Sequence, residues 1–108
     1  MDASGCPPEF LRDVPRLAGL FESLIVTLKL QVVGTPQWHV FPGPGGVTGL
    51  ALLSESHLGI HTFPEHGFAA LSVYSCTPRA APDFEALLTK ALSPTRVVVR
   101  CVPREVSP

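Results

Sequence analysis

The chain reads as an α+β protein, a two-layer sandwich with an antiparallel sheet and two helices on one face. Two observations predict this. Apolar residues recur at three- and four-residue steps in two separate stretches, one near the start and one over residues 83–92. Between and after them lie short apolar or alternating runs, punctuated by glycine and proline turns. Helices segregated to one face of such a sheet bury both stripes at once.

Residues 7–30 read as a helix, with Phe10, Leu11, Val14, Leu17, Leu20, Phe21, Leu24, Ile25 and Leu28 as its stripe. Pro7 and Pro8 suit its first turn, and Pro15 predicts a kink or a short break. Residues 31–41 read as a strand, and the Pro-Gly-Pro-Gly-Gly run at 42–46 as a turn. Residues 47–53 form a second strand, whose apolar run predicts burial on both faces. Residues 58–63 and 68–76 are a third and fourth strand, joined by Pro64-Glu65-His66-Gly67. Residues 83–92 are a second helix, with Pro82 ahead of it and Asp83 as its cap. Residues 96–102 are a last, weakly alternating strand. With no repeat, linker or low-complexity tail, residues 1–108 form a single domain.

Composition narrows the function classes. A length of 108 residues gives one modest core, and the 45% hydrophobic content is that of a globular protein. A net charge of −1 argues against nucleic acid or an anionic membrane as partner. Cys6, Cys76 and Cys101 are an odd number at wide spacing, which supports neither a zinc knuckle nor a disulfide framework. No basic region precedes an apolar run at the N-terminus, and the apolar stretch 17–33 contains Glu22 and Lys29. A reduced, cytoplasmic protein is expected.

The chemistry-bearing residues are few. The only lysines are Lys29 and Lys90, outside any pocket motif, so a pyridoxal enzyme is not expected. There is no dinucleotide or phosphate loop, and residues 42–46 suit a hairpin turn better than a phosphate cradle. His39, His57, His61 and His66 have only Glu65 and Cys76 as nearby ligand types and no zinc spacing, so no metal is expected. Taken singly, Ser56 is a turn residue, His61 a structural strand histidine and Cys76 a small core residue. Together they place a hydroxyl that can attack the preceding carbonyl, a base and a proton donor in one stretch.

That joint pattern carries a resemblance. Ser54-Glu55-Ser56-His57-Leu58, then Ile60-His61-Thr62 and Pro64-Glu65, with Cys76 twenty residues after Ser56, resembles the prokaryotic-type pyruvoyl-dependent S-adenosylmethionine decarboxylases. Trp38-His39-Val40-Phe41 and Gly46-Val47-Thr48-Gly49 also resemble that family's turn before the motif. The likeness is strong from Ser54 to Cys76 and weaker elsewhere. It implies self-cleavage at Glu55-Ser56 into pieces 1–55 and 56–108, with Ser56 becoming a covalent pyruvoyl group that forms a Schiff base with the substrate. It further implies that His61 and Thr48 serve processing, Cys76 donates a proton, Glu65 holds the ribose hydroxyls and Phe41 stacks on adenine. The implied product is the aminopropyl donor for spermidine synthesis.

Hairpin counting shapes these expectations. Pairing Phe63 with Phe68 sets Cys76 opposite residue 55, beside Ser56. Glu65 is nine residues from Ser56, roughly 30 Å along a strand. His61, five residues away, points to the other face. A symmetric homodimer in an αββα arrangement is therefore expected, with Ser56 and Cys76 from one chain and His61, Glu65, Phe41 and Thr48 from its partner. Three departures from the family pattern stand out. Only residues 1–6 remain where the family has an N-terminal strand, so that strand is expected to be absent or stunted. Phe63 replaces a tryptophan, and the 42–46 turn is one residue longer. The alternatives are a pyruvoyl-dependent L-arginine or L-ornithine decarboxylase, or a non-cleaving regulatory partner subunit.

Overall fold

The structure, a computed structural model, describes residues 1–75 and 82–104. The long helix expected over 7–30 divides in two. A 3₁₀ turn covers Phe10–Arg12, and α1 covers Val14–Leu28. Asp13 makes the division. Its backbone is extended, and its carboxylate accepts the Arg16 N–H at 3.3 Å, capping α1. Pro15 then falls in the first turn, where its missing N–H has no acceptor to miss. It marks a helix start and not a kink.

The sheet has the strands β1 (Asp2–Ser4), β2 (Gln37–Val40), β3 (Val47–Leu52), β4 (Ser56–Phe63), β5 (Phe68–Ser75) and β6 (Arg96–Val98). Their order is β2-β3-β4-β5-β1-β6, and every pairing is antiparallel. The second helix, α2, spans Phe84–Leu92, and Asp83 caps it by accepting the Ala86 N–H at 3.0 Å.

The N-terminal strand is present but stunted. β1 has three residues, paired with β5 on one side and β6 on the other, so it is interior to the sheet. β2 is shorter than the strand expected over 31–41. Gly34 sits at φ +75°, which turns the chain, and Pro36 has no N–H to give a ladder. β6 ends at Val98, short of the expected 102.

One face of the sheet carries the core. Leu17, Leu20, Phe21, Leu24 and Leu28 of α1, with Leu88 and Leu92 of α2, bury against Val47, Ala51, Leu58, Ile60, Ala69 and Leu71. Arg16 links the helices by donating to the Ala91 carbonyl at 3.1 Å. The other face is open. The expected two-sided burial of the second strand is not found in the single chain: Leu50 and Leu52 are 50% and 59% exposed. Phe41, Phe63 and Tyr74 also stand exposed.

Candidate active site

The Glu55-Ser56 bond lies at the tip of the β3–β4 hairpin. Leu52 pairs with His57, and the Leu53 N–H donates to the Ser56 carbonyl at 3.0 Å, leaving Ser54 and Glu55 as the loop. A second clamp comes from the chain after α1. Val32 bridges Leu53, the Val33 N–H donates to the Leu52 carbonyl at 2.8 Å, and the Ser54 N–H donates to the Gln31 carbonyl at 2.9 Å. The residues just before the bond are therefore held on two sides, by β4 and by residues 31–33.

On the far side of β4, Ser56 pairs with Ser75 and Phe63 with Phe68, the register expected from hairpin counting. Cys76, the expected proton donor, lies outside the described residues. Its neighbour Ser75 is in register with Ser56.

Alternation along β4 sorts its side chains. Leu58, Ile60 and Thr62 are buried on the helix side, and Ser56 shares their parity. His57, His61 and Phe63 are exposed on the open face. His61 is thus on the opposite face from Ser56 and about 16 Å along the strand. It has company there. Thr48 is its cross-strand partner, and the Thr48 hydroxyl lies 3.1 Å from His61 Nδ1. His39 pairs with Thr48 on the next strand, and its ring meets Phe41 edge-on at 4.6 Å. Glu65 follows in the 3₁₀ turn Pro64–His66, exposed. Phe41, Thr48 and His61 thus gather on the open face, with Glu65 at the strand end beyond them, all away from Ser56.

His39 was not expected in this group. Thr62 was also missed. It is buried, and its hydroxyl accepts the Val47 N–H at 2.8 Å and donates to the Leu11 carbonyl at 2.7 Å. One side chain so ties the N-terminal 3₁₀ turn to β3 and β4, beside the Thr48–His61 pair. The spacing of Leu58, Ile60 and Thr62 was the available signal, a polar residue at an inward position of an alternating strand. Gly46 is needed at this point, because a Cβ there would collide with the Thr62 carbonyl. Thr62→Val is expected to lower stability by about 2 kcal/mol in chemical denaturation, because it leaves a buried N–H and a buried C=O unpaired.

Among the described residues, no group of three or more His, Cys, Asp or Glu could hold a metal ion. No helix among them is long and apolar enough to cross a membrane.

Known proteins share both sequence and fold with this chain. A family model described as S-adenosylmethionine decarboxylase matches residues 1–105. The S-adenosylmethionine decarboxylase proenzyme of Pyrobaculum aerophilum is 36% identical over 99 residues, covering 88% of this chain and 76% of the relative. Proenzyme 2 of Halalkalibacterium halodurans is 34% identical over 105 residues, covering 96% and 81%. The proenzyme of Thermococcus gammatolerans is 35% identical over 83 residues, and the match spans 57% of its length. The crystal structure of the adenosylmethionine decarboxylase from Aquifex aeolicus VF5 matches with a TM-score of 0.71 at 29% identity, over 99% of this chain and 91% of that one. A match over residues 1–105 leaves almost none of the sequence unaccounted for, and the chain belongs to the S-adenosylmethionine decarboxylase family.

Proposed function

We propose that this chain is a proenzyme that cuts itself at Glu55-Ser56 and then decarboxylates S-adenosylmethionine, yielding the aminopropyl donor for spermidine synthesis. The observation that carries the reading is the position of that bond, at a clamped hairpin tip, in a chain of this family.

The cut follows from the residues at the tip. The Ser56 hydroxyl attacks the Glu55 carbonyl carbon, and the peptide bond is replaced by an ester. Elimination releases Glu55 as a carboxylate and leaves a dehydroalanine at 56. Water replaces its nitrogen, ammonia departs, and a pyruvoyl group remains. The site suits that group: its amide carbonyl is the Ser56 carbonyl, already bonded to the Leu53 N–H. Once formed, the group supplies an electron sink for loss of carbon dioxide from a bound amino acid.

The other roles belong to the same proposal. Cys76, adjoining Ser75, would return a proton to the substrate carbon. Thr48 and His61, already in contact, would move protons during processing. Phe41 would stack on adenine, and the Glu65 carboxylate would accept from both ribose hydroxyls, which favours a nucleoside over arginine or ornithine. Ser56 and His61 lie on opposite faces, about 16 Å apart along β4, so one substrate does not reach both in one chain. A homodimer that stacks the open sheet faces as αββα would bring them together across a two-fold axis. The exposed Phe41, Leu50, Leu52, Phe63 and Tyr74 support it, since such a patch is stable when covered. The cysteine spacing supports a reducing, cytoplasmic setting.

Intact-mass analysis tests the cut: pieces 1–55 and 56–108 are expected, and a single uncut species would sink the enzyme reading in favour of a regulatory subunit. Carbon dioxide release from labelled S-adenosylmethionine, arginine and ornithine tests the substrate. Release from either of the last two alone would transfer the activity to the other decarboxylase class.

A further inference from the structure

The cleavage end of β4 carries an aromatic pair that the chemistry above leaves unused. His57 and Tyr74 are cross-strand partners on the open face. Their rings lie 5.3 Å apart and within 6° of parallel. The Arg104 guanidinium stands 5.8 Å from the centre of the Tyr74 ring, within cation–π reach. Arg104 comes from the chain beyond β6, so β4, β5 and the C-terminal segment converge at this ring.

His57 matters because its backbone nitrogen carries the carbonyl of residue 56. Before the cut, residue 56 is anchored covalently from both directions. Afterwards it is a chain end, and chain ends fray unless tied down. Among the described residues, three ties remain there: the pairing with Ser75, the Leu53 N–H and the stacking of His57 on Tyr74.

We propose that Tyr74, with Arg104 over its ring, is a positioning residue for the processed enzyme. Its ring holds His57, and through His57 it fixes the orientation of residue 56 once the chain has been cut. This rests on the proposed cut at Glu55-Ser56. It predicts an effect confined to the time after cleavage, which a general folding role would not produce.

The test uses the full chain carrying Tyr74→Ala, Tyr74→Phe or Arg104→Gln. Tyr74→Ala is expected to cleave at a rate within about threefold of wild type, yet to lose about tenfold in kcat with KM within about twofold, the mark of a misplaced reacting group. Tyr74→Phe keeps the ring and restores kcat. Arg104→Gln, on an exposed segment, lowers kcat in the same direction by about threefold. Amide exchange gives a readout apart from activity. The His57 and Leu58 amides are expected to exchange about tenfold faster in cut Tyr74→Ala than in cut wild type, and at the wild-type rate when Ser56→Ala keeps the chain whole. Equal acceleration in the uncut chain would overturn the inference, as would a cut Tyr74→Ala with wild-type kcat. If Tyr74→Ala fails to fold, Arg104→Gln decides by the same two measurements. A wild-type chain that stays uncut overturns the proposed function and this inference together.

Discussion

Ser56→Ala is expected to leave one uncut chain and no release of carbon dioxide above background. Alanine lacks the hydroxyl that in the proposed reaction attacks the Glu55 carbonyl, and no other side chain is covalently placed to form that ester. The fold should survive. Ser56 is half-buried at the start of β4, and losing its hydroxyl should change stability by no more than about 1 kcal/mol. Circular dichroism and intact mass on the same sample separate a folded, uncut chain from a misfolded one. Continued cleavage would show that another bond is the one cut.

Mixing two dead variants is expected to restore activity. Ser56→Ala removes the proposed reacting residue, and Glu65→Ala removes the proposed ribose contact at the opposite end of β4. If each site takes Ser56 from one chain and Glu65 from the other, a mixed dimer has one site carrying both lesions and one carrying neither. Random pairing of co-expressed chains makes half the dimers mixed, so about a quarter of wild-type kcat should return. If each chain held a complete site, every site in the mixture would carry one lesion and the activity would stay at the level of the single variants. The two outcomes, about a quarter of wild-type kcat against the level of the single variants, show directly whether Glu65 acts across the dimer.

Much of this arrangement was readable in the residues. The stripe from Leu17 to Leu28 is regular enough to mark α1, and Pro64-Glu65-His66-Gly67 between apolar strands set the Phe63–Phe68 register. Strand alternation separated Ser56 from His61, and length along the strand separated it from Glu65. Other features left no local trace. β1 is Asp-Ala-Ser, three residues with no periodicity, held in place by β5 and β6 from far along the chain. The division at Asp13 was hidden because Phe10 and Leu11 continue the helical spacing in a turn that is not part of the helix. The stretch 31–33 reads as a strand by composition but serves as a clamp on the hairpin tip, a role set by what lies beside it. The pairing of Thr48 with His61 is likewise a product of strand register. Cys76, expected at the site from its offset to Ser56, lies outside the described residues, and only the Ser56–Ser75 pairing beside it is seen.

The place of β1 between β5 and β6 has a consequence for the molecule after the proposed cut. Piece 1–55 then holds β1, β2 and β3, and piece 56–108 holds β4, β5 and β6. Across the sheet the two pieces interlace: two strands of the first, two of the second, one of the first, one of the second. The β4–β5 hairpin is gripped on both edges by the other piece, and β1 is gripped in turn. Separating the fragments would break three strand pairings at once, so the broken backbone does not release a subunit. Reassembly is another matter. Two separate chains must meet before they can interleave, so refolding becomes a second-order process whose yield depends on protein concentration. The proposed self-cleavage would thus turn a single-chain refolding reaction into one that depends on concentration, in a molecule kept together by the weave it made while whole.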